Sequence, residues 1–388
     1  MSARPYSRAA RRLAAITTLV ALALGGSLAP AHAAEPYDGV PLTARGRYLP
    51  DETAVDSRGN VYFSATYQRA DMSWSSMVLR RSTSGKVTRV AGTTTLGKTK
   101  AGRATKTRLG LVSDLALDSR GNLYIADCTN RVVSKVSPSG KLTVVAGKVG
   151  KTGRPKAGKA TKSRFACPEA LAVDADRNVF VLDWSAKVVT KVTPRGDLSI
   201  VAGKVGKAGS PTPGPATKSR LGNPVDIAAD TAGNLYIADA GDYGYVEKVT
   251  PEGELSIIAG RGGFGRPKSG KLATRSYLGI VESIDVDAKG TVYLGMSNGL
   301  WAGNFAVVGA IGTDGVLDLV AGRLTKRGAP RAGSALKSKL DAPLHVTVRP
   351  SGSVYATFSV GFGSKGSYIV KITKKGKLSV LQRTITVR

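Results

Sequence analysis

Residues 224–239 read Pro224-Val225-Asp226-Ile227-Ala228-Ala229-Asp230-Thr231-Ala232-Gly233-Asn234-Leu235-Tyr236-Ile237-Ala238-Asp239. Val225 to Ala229 is a short apolar run bounded by turn residues, the pattern of a strand rather than a helix. Asp230 to Asn234 reads as a tight turn, and Leu235 to Ala238 as a second strand. Tyr245 to Val249 gives a third. Thr250-Pro251-Glu252-Gly253 then turns the chain, because proline presets φ and glycine permits positive φ. Leu255 to Ala259 completes a unit of four short antiparallel strands.

The unit is used six times. Ile227-Ala228-Ala229-Asp230 has counterparts ending at Asp56, Asp118, Asp174, Asp287 and Arg349, with steps of 56 to 62 residues. Three residues after these anchors stand Gly59, Gly121, Gly233, Gly290 and Gly352, with Arg177 the exception. An aromatic follows in every copy: Tyr62, Tyr124, Phe180, Tyr236, Tyr293 and Tyr355. Val90-Ala91-Gly92 returns at Val145, Val201, Ile258 and Val320. A four-stranded unit cannot bury both faces alone, whereas six closed in a ring can. The expected fold is all-β, a six-bladed β-propeller of four-stranded antiparallel blades with essentially no helix. The blades run over about 42–92, 109–147, 165–203, 221–260, 278–322 and 340–388. Either end, 34–48 or 384–388, offers an extra strand for closing the ring.

The stretch 224–239 resembles the central signature of the NHL repeat. So does Ala126-Asp127-Cys128-Thr129-Asn130-Arg131-Val132-Val133-Ser134-Lys135-Val136. The likeness spans about residues 40–385 and departs in the first, fifth and sixth blades, where Ala65, Met296 or Phe358 replaces the Asp after the second strand. It implies the propeller. Its bearing on function is weak, because NHL propellers include enzymes, RNA binders and scaffolds.

Arg4, Arg8, Arg11 and Arg12 precede an apolar stretch, Leu13 to Leu28, and Ala31-His32-Ala33 supplies a small-x-small cleavage pattern. Residues 1–33 therefore read as a secretory signal peptide, with 34–388 as a single propeller. The apolar stretch is short for a membrane anchor and is interrupted by Gly25 and Gly26. No second such segment follows. Without the leader the chain carries 53 Lys and Arg against 27 Asp and Glu. Such an excess draws anionic partners. Cys128 and Cys167 lie on the same face of adjacent blades, so in an oxidising compartment a disulfide is the expectation.

The charge is not evenly spread. The connections between blades, 92–108, 147–164, 203–220, 260–276 and 322–339, carry 27 Lys and Arg and no acid. Candidate polyanion contacts are Lys98, Lys148, Lys151, Arg154, Lys156, Lys159, Lys162, Lys204, Lys207, Arg266, Lys268, Lys326 and Arg327. Propeller connectivity puts these segments on one face, as a collar around the channel. Only Phe264 offers a stacking aromatic there, which argues against sequence-specific nucleic-acid recognition.

The acids sit inward. Before the inner strands stand Asp51, Glu52, Asp114, Glu169, Asp226 and Glu282; after the second strands stand Asp127, Asp183 and Asp239. His345 occupies the sixth-blade position level with Glu52, Asp114 and Asp226. The leading reading is a secreted binding or scaffold module contacting an anionic polymer or cell-wall surface. A second reading is a lactonase- or lyase-like enzyme holding Ca or Mg at the channel mouth, with Asn130 and Asn223 as further ligands. A third is a scaffold for a protein partner. Against both stands the use of Asp to cap turns and help blades pack. No Ser-His-Asp arrangement is visible.

Overall fold

The computed structural model describes residues 46–68, 74–241, 244–263, 265–298, 305–341, 344–349, 351–359 and 367–387. The leader and Phe264 lie outside the described residues. Six antiparallel sheets form the blades of a propeller, each with five strands. In the fourth blade the inner, second, third and outer strands are Pro224–Ala229, Leu235–Asp239, Tyr245–Val249 and Glu254–Ala259.

The anchoring Asp explains the regularity of the repeat. Asp230 accepts the N–H groups of Ala232 and Asn234, each at 2.9 Å, and the Asn234 amide at 2.8 Å. Tyr236 donates its hydroxyl to the same carboxylate at 3.0 Å. Asp118 holds Asn122 and Asp174 holds Asn178 in the same way. Within this turn Gly233 has φ of +83° and Arg177, in the glycine's place, +64°. A side chain is strained there, and the bonds from Asp174 hold the turn closed.

Four strands per blade were legible; the fifth was not. The connections contain a motif: Ala104-Thr105-Lys106-Thr107-Arg108-Leu109, Ala160 to Phe165, Ala216 to Leu221, Ala273 to Leu278 and Ala335 to Leu340. Just before it, in the second to sixth blades, two residues pair with the outer strand, as Gly158 and Lys159 do with Leu198 and Asp197. The motif's first alanine is fully buried in every copy. Its N–H donates to the turn before the outer strand, from Ala104 to Gly140, Ala160 to Gly196, Ala216 to Gly253 and Ala335 to Gly376 at 2.8–2.9 Å. The added strand covers an edge that would otherwise be bare. The only helix among the described residues consists of single 3-10 turns such as Ala160–Lys162.

Both chain ends close the ring. Ile385–Val387 pairs with Gly46–Tyr48, the start of the first inner strand. The core lies between blades, where Tyr124, Val133, Phe165, Leu171 and Val181 form one shared cluster. A corresponding cluster joins blades three and four through Phe180, Val189, Ile227 and Ile237. Each such side chain removed from water contributes about 1.5–3 kcal/mol.

Candidate functional site

The inner strands line a central cavity of about 270 Å³ that includes Asp114, Asp226, Asp285 and His345. At one end of it His345 Nε2 lies 3.0 Å from Glu52 Oε2 and 3.9 Å from Asp114 Oδ1. Nδ1 lies 3.2 Å from Thr53 Oγ1, so the ring is held at both nitrogens. Three blades, the sixth, first and second, meet in this cluster.

The carboxylates below also bridge blades. Asp114 accepts the N–H of Leu115 at 2.7 Å and that of Leu171, in the next blade, at 2.6 Å. Asp226 does the same with Ile227 and Ile284, at 2.9 and 3.0 Å. Asp285 repeats the pattern with Val286 and Val348, at 2.8 and 2.7 Å. Burial, then the charges of Asp226 and Glu52, hold Asp114 well above the usual carboxylate range. Burial pushes Asp285 up to about 7. Asp285 was not singled out in the sequence. The signal was present: Ala54, Ala116, Ala172 and Ala228 occupy its position in other blades, so it is a lone acid in a column of alanines.

The remaining acids have other work. Glu169 and Glu282 are not among the residues lining the cavity; Glu282 accepts a bond from the Ser297 hydroxyl. Asp239 accepts the N–H groups of Gly222, Asn223 and Gly241 at 2.5, 2.6 and 2.8 Å. Asp183 accepts those of Ala166, Cys167 and Ala186, and Asp127 those of Gly110 and Asn130. These three clamp the chain entering each inner strand to the chain leaving the second strand. Burial still pushes Asp183 up to about 6. The two asparagines belong to the same clamps: Asn130 donates to Asp127, and Asn223 accepts from Trp184 Nε1 at 2.9 Å.

Cys128 and Cys167 form a disulfide across the second and third blades, with Cα atoms 4.5 Å apart.

Of the basic candidates, Lys98, Lys148, Lys151, Arg154, Lys156, Lys159, Lys162, Lys204, Lys207, Arg266, Lys268 and Lys326 are exposed. Their segments do not keep to one face. The first half of each lies over the turn leaving the second strand, as the Gly150 N–H to Asn130 and Gly206 N–H to Ala186 bonds require. The second half runs along the outer edge. Arg327 differs: its side chain is 14% exposed and donates to Asn298 Oδ1 at 3.0 Å and to the Phe305 carbonyl, 3.9 Å from Asp341. Lys159 pairs with Asp197 at 2.6 Å, both side chains more than half exposed, an arrangement of little energetic weight.

Fold and site together define a six-bladed β-propeller with an acidic channel and a basic periphery. No family model matches the chain, and no curated protein matches it in sequence. Solved structures match its fold. One is a protein of unknown function from Bacteroides thetaiotaomicron, 15% identical, with TM-score 0.57 over 89% of this chain and 73% of that one. Another is an auxiliary nutrient binding protein from Bacteroides ovatus, 13% identical, with TM-score 0.53 over 82% and 69%. The virginiamycin B lyase of Staphylococcus aureus aligns over 88% and 86% at 13% identity and TM-score 0.47. At such identities the likeness is one of fold. Among the described residues no helix is long and apolar enough to cross a membrane.

Proposed function

We propose that this chain is a secreted binding propeller of the NHL kind that holds anionic polymers, such as those of a cell wall, through its interblade segments. One observation carries the reading: the segments are anchored to the blades by buried residues and repeat the same basic display. Buried Ala160 and Ser163 anchor the third-blade copy while Lys159, Lys162 and Arg164 stay exposed. An anchored backbone spares the cost of ordering the segment on binding, and repetition adds contacts along one polymer. Binding releases counterions, so affinity for heparin or polyphosphate is expected to fall linearly on a log–log salt plot, with a slope of about −5 for six phosphate contacts. Replacing Lys148, Lys151, Arg154, Lys156 and Lys162 with Gln should flatten that slope without lowering the melting temperature. Failure of the wild type to bind any polyanion at physiological salt rejects the reading.

A cation at the channel mouth is a second reading, favoured by the cluster of Glu52, Asp114 and His345, whose ligand atoms lie within 4.8 Å of one another. Two carboxylates and an imidazole suit a divalent ion, which would there offset the crowding of negative charge. A melting temperature raised by Ca²⁺ or Mg²⁺ in the wild type, and unmoved in His345→Ala, supports it.

A further inference from the structure

Among the described residues three large apolar side chains are exposed, Leu96, Leu272 and Leu336, at 38%, 47% and 53%. All three belong to the basic interblade segments. Leu336, the most exposed, lies in the single helical turn Ala335–Lys337 on the outer edge of the sixth blade. Blades two to five carry Thr105, Thr161, Thr217 and Thr274 at that position.

The surroundings of Leu336 are also unlike those in other blades. Ser334 pairs with Lys377, and the Ala335 N–H bonds Gly376 at 2.8 Å. Leu336 therefore stands beside the turn Thr373-Lys374-Lys375-Gly376-Lys377. The equivalent turns of the third, fourth and fifth blades carry Asp197, Glu252 with Glu254, and Asp314. Here Lys374, Lys375 and Lys377 are exposed, and Arg331, Lys337 and Lys339 join them from the interblade segment. Neither 328–340 nor 373–383 contains an acid.

A hydrophilic polyanion gives no use to an exposed leucine within a field of lysines. A bilayer does, because cations gather anionic headgroups while an apolar side chain enters the interfacial layer. We infer that the outer edge of the sixth blade docks on an anionic lipid bilayer, with Leu336 entering the headgroup region. This goes beyond polymer binding, since it requires an apolar phase. Leu272 provides an internal comparison: it is exposed beside Lys271, but the facing outer strand of its blade carries Asp318, which takes the Ser269 hydroxyl bond at 2.8 Å.

Co-sedimentation of the full chain with vesicles tests this. Binding is expected to vesicles of phosphatidylcholine mixed with phosphatidylglycerol and not to phosphatidylcholine alone. Leu336→Ser should weaken it by about three- to tenfold. Lys374→Gln with Lys375→Gln should weaken it by at least about tenfold. Leu272→Ser should leave it unchanged. These are surface positions, and an unchanged melting curve for each variant confirms folding. Vesicle binding by Leu336→Ser equal to wild type overturns the inference. Retention on heparin without vesicle binding overturns it while leaving the polymer reading intact; Leu336-dependent vesicle binding without heparin retention does the reverse.

Discussion

Glu247 is the residue that most departs from the repeat. It lies in the third strand of blade four, fully buried, opposite Ile237 on one side and Ile257 on the other. Both its carboxylate oxygens lack a hydrogen-bond partner among the described residues. The same position holds Ser134, Thr190, Gly309 and Val370 in other blades. Burial, with the nearby Asp239 charge, pushes the Glu247 carboxyl well above its ordinary range. Contrast Asp239, whose burial is offset by three backbone donors. In blade three Thr190 meets the same environment by donating to the Val181 carbonyl at 3.3 Å. Glu247→Thr is therefore expected to stabilise the protein by about 1–2 kcal/mol at pH 8, and by less at pH 5, where the carboxyl is neutral. Urea unfolding at the two pH values measures both. A variant less stable at each pH means the void left by the shorter side chain outweighs the relief.

At the scale of elements, the propeller depends on what joins one blade to the next. Hydrophobic clusters do most of this, and Asp114, Asp226 and Asp285 reinforce it at the channel. The second and third blades alone add a covalent tie, Cys128 to Cys167, separated by 39 residues. Closing such a loop restricts the unfolded chain by about 4 kcal/mol in the chain-entropy model. Cys128→Ser with Cys167→Ser should lose an amount of that order in denaturant unfolding. Mass spectrometry of the unreduced wild type should find no alkylatable thiol.

At the scale of the whole molecule, the buried carboxyls that are shifted among the described residues act in one direction on stability. Asp114, Asp127, Asp183, Asp239, Glu247 and Asp285 are all raised, with burial the largest cause in each. Each holds in the folded state a proton that the unfolded chain releases at lower pH. For Asp183 and Asp285 the windows run from the ordinary value of 3.8 to about 6 and about 7. Within these windows the native state binds more protons, so stability falls as pH rises. The opposing effect is self-repulsion of a chain whose positive charge grows on acidification. At 0.15 M salt the screening length is about 8 Å, which confines that repulsion to near neighbours. The melting temperature should therefore be higher at pH 5 than at pH 8, and a rise toward alkaline pH would contradict this account.

The repeat itself determined the strands, the turns and the number of blades. Each of these follows from local periodicity and from turn residues acting within a few positions, as Asp230 acts on Asn234. The disulfide was legible for the same reason, since blade position fixes which cysteines can meet. The destinations of the acids were not. Asp114 and Asp127 read alike in sequence, yet one reaches across to Leu171 in the next blade while the other folds back on Gly110. Which backbone N–H lies within reach depends on the twist and bulge of strands and on neighbours about 60 residues away, and so does the course of the basic segments onto the outer edge. Leu336 belongs to that second kind: a leucine in sequence is ordinarily core, and only the packed blade leaves it on the surface among lysines.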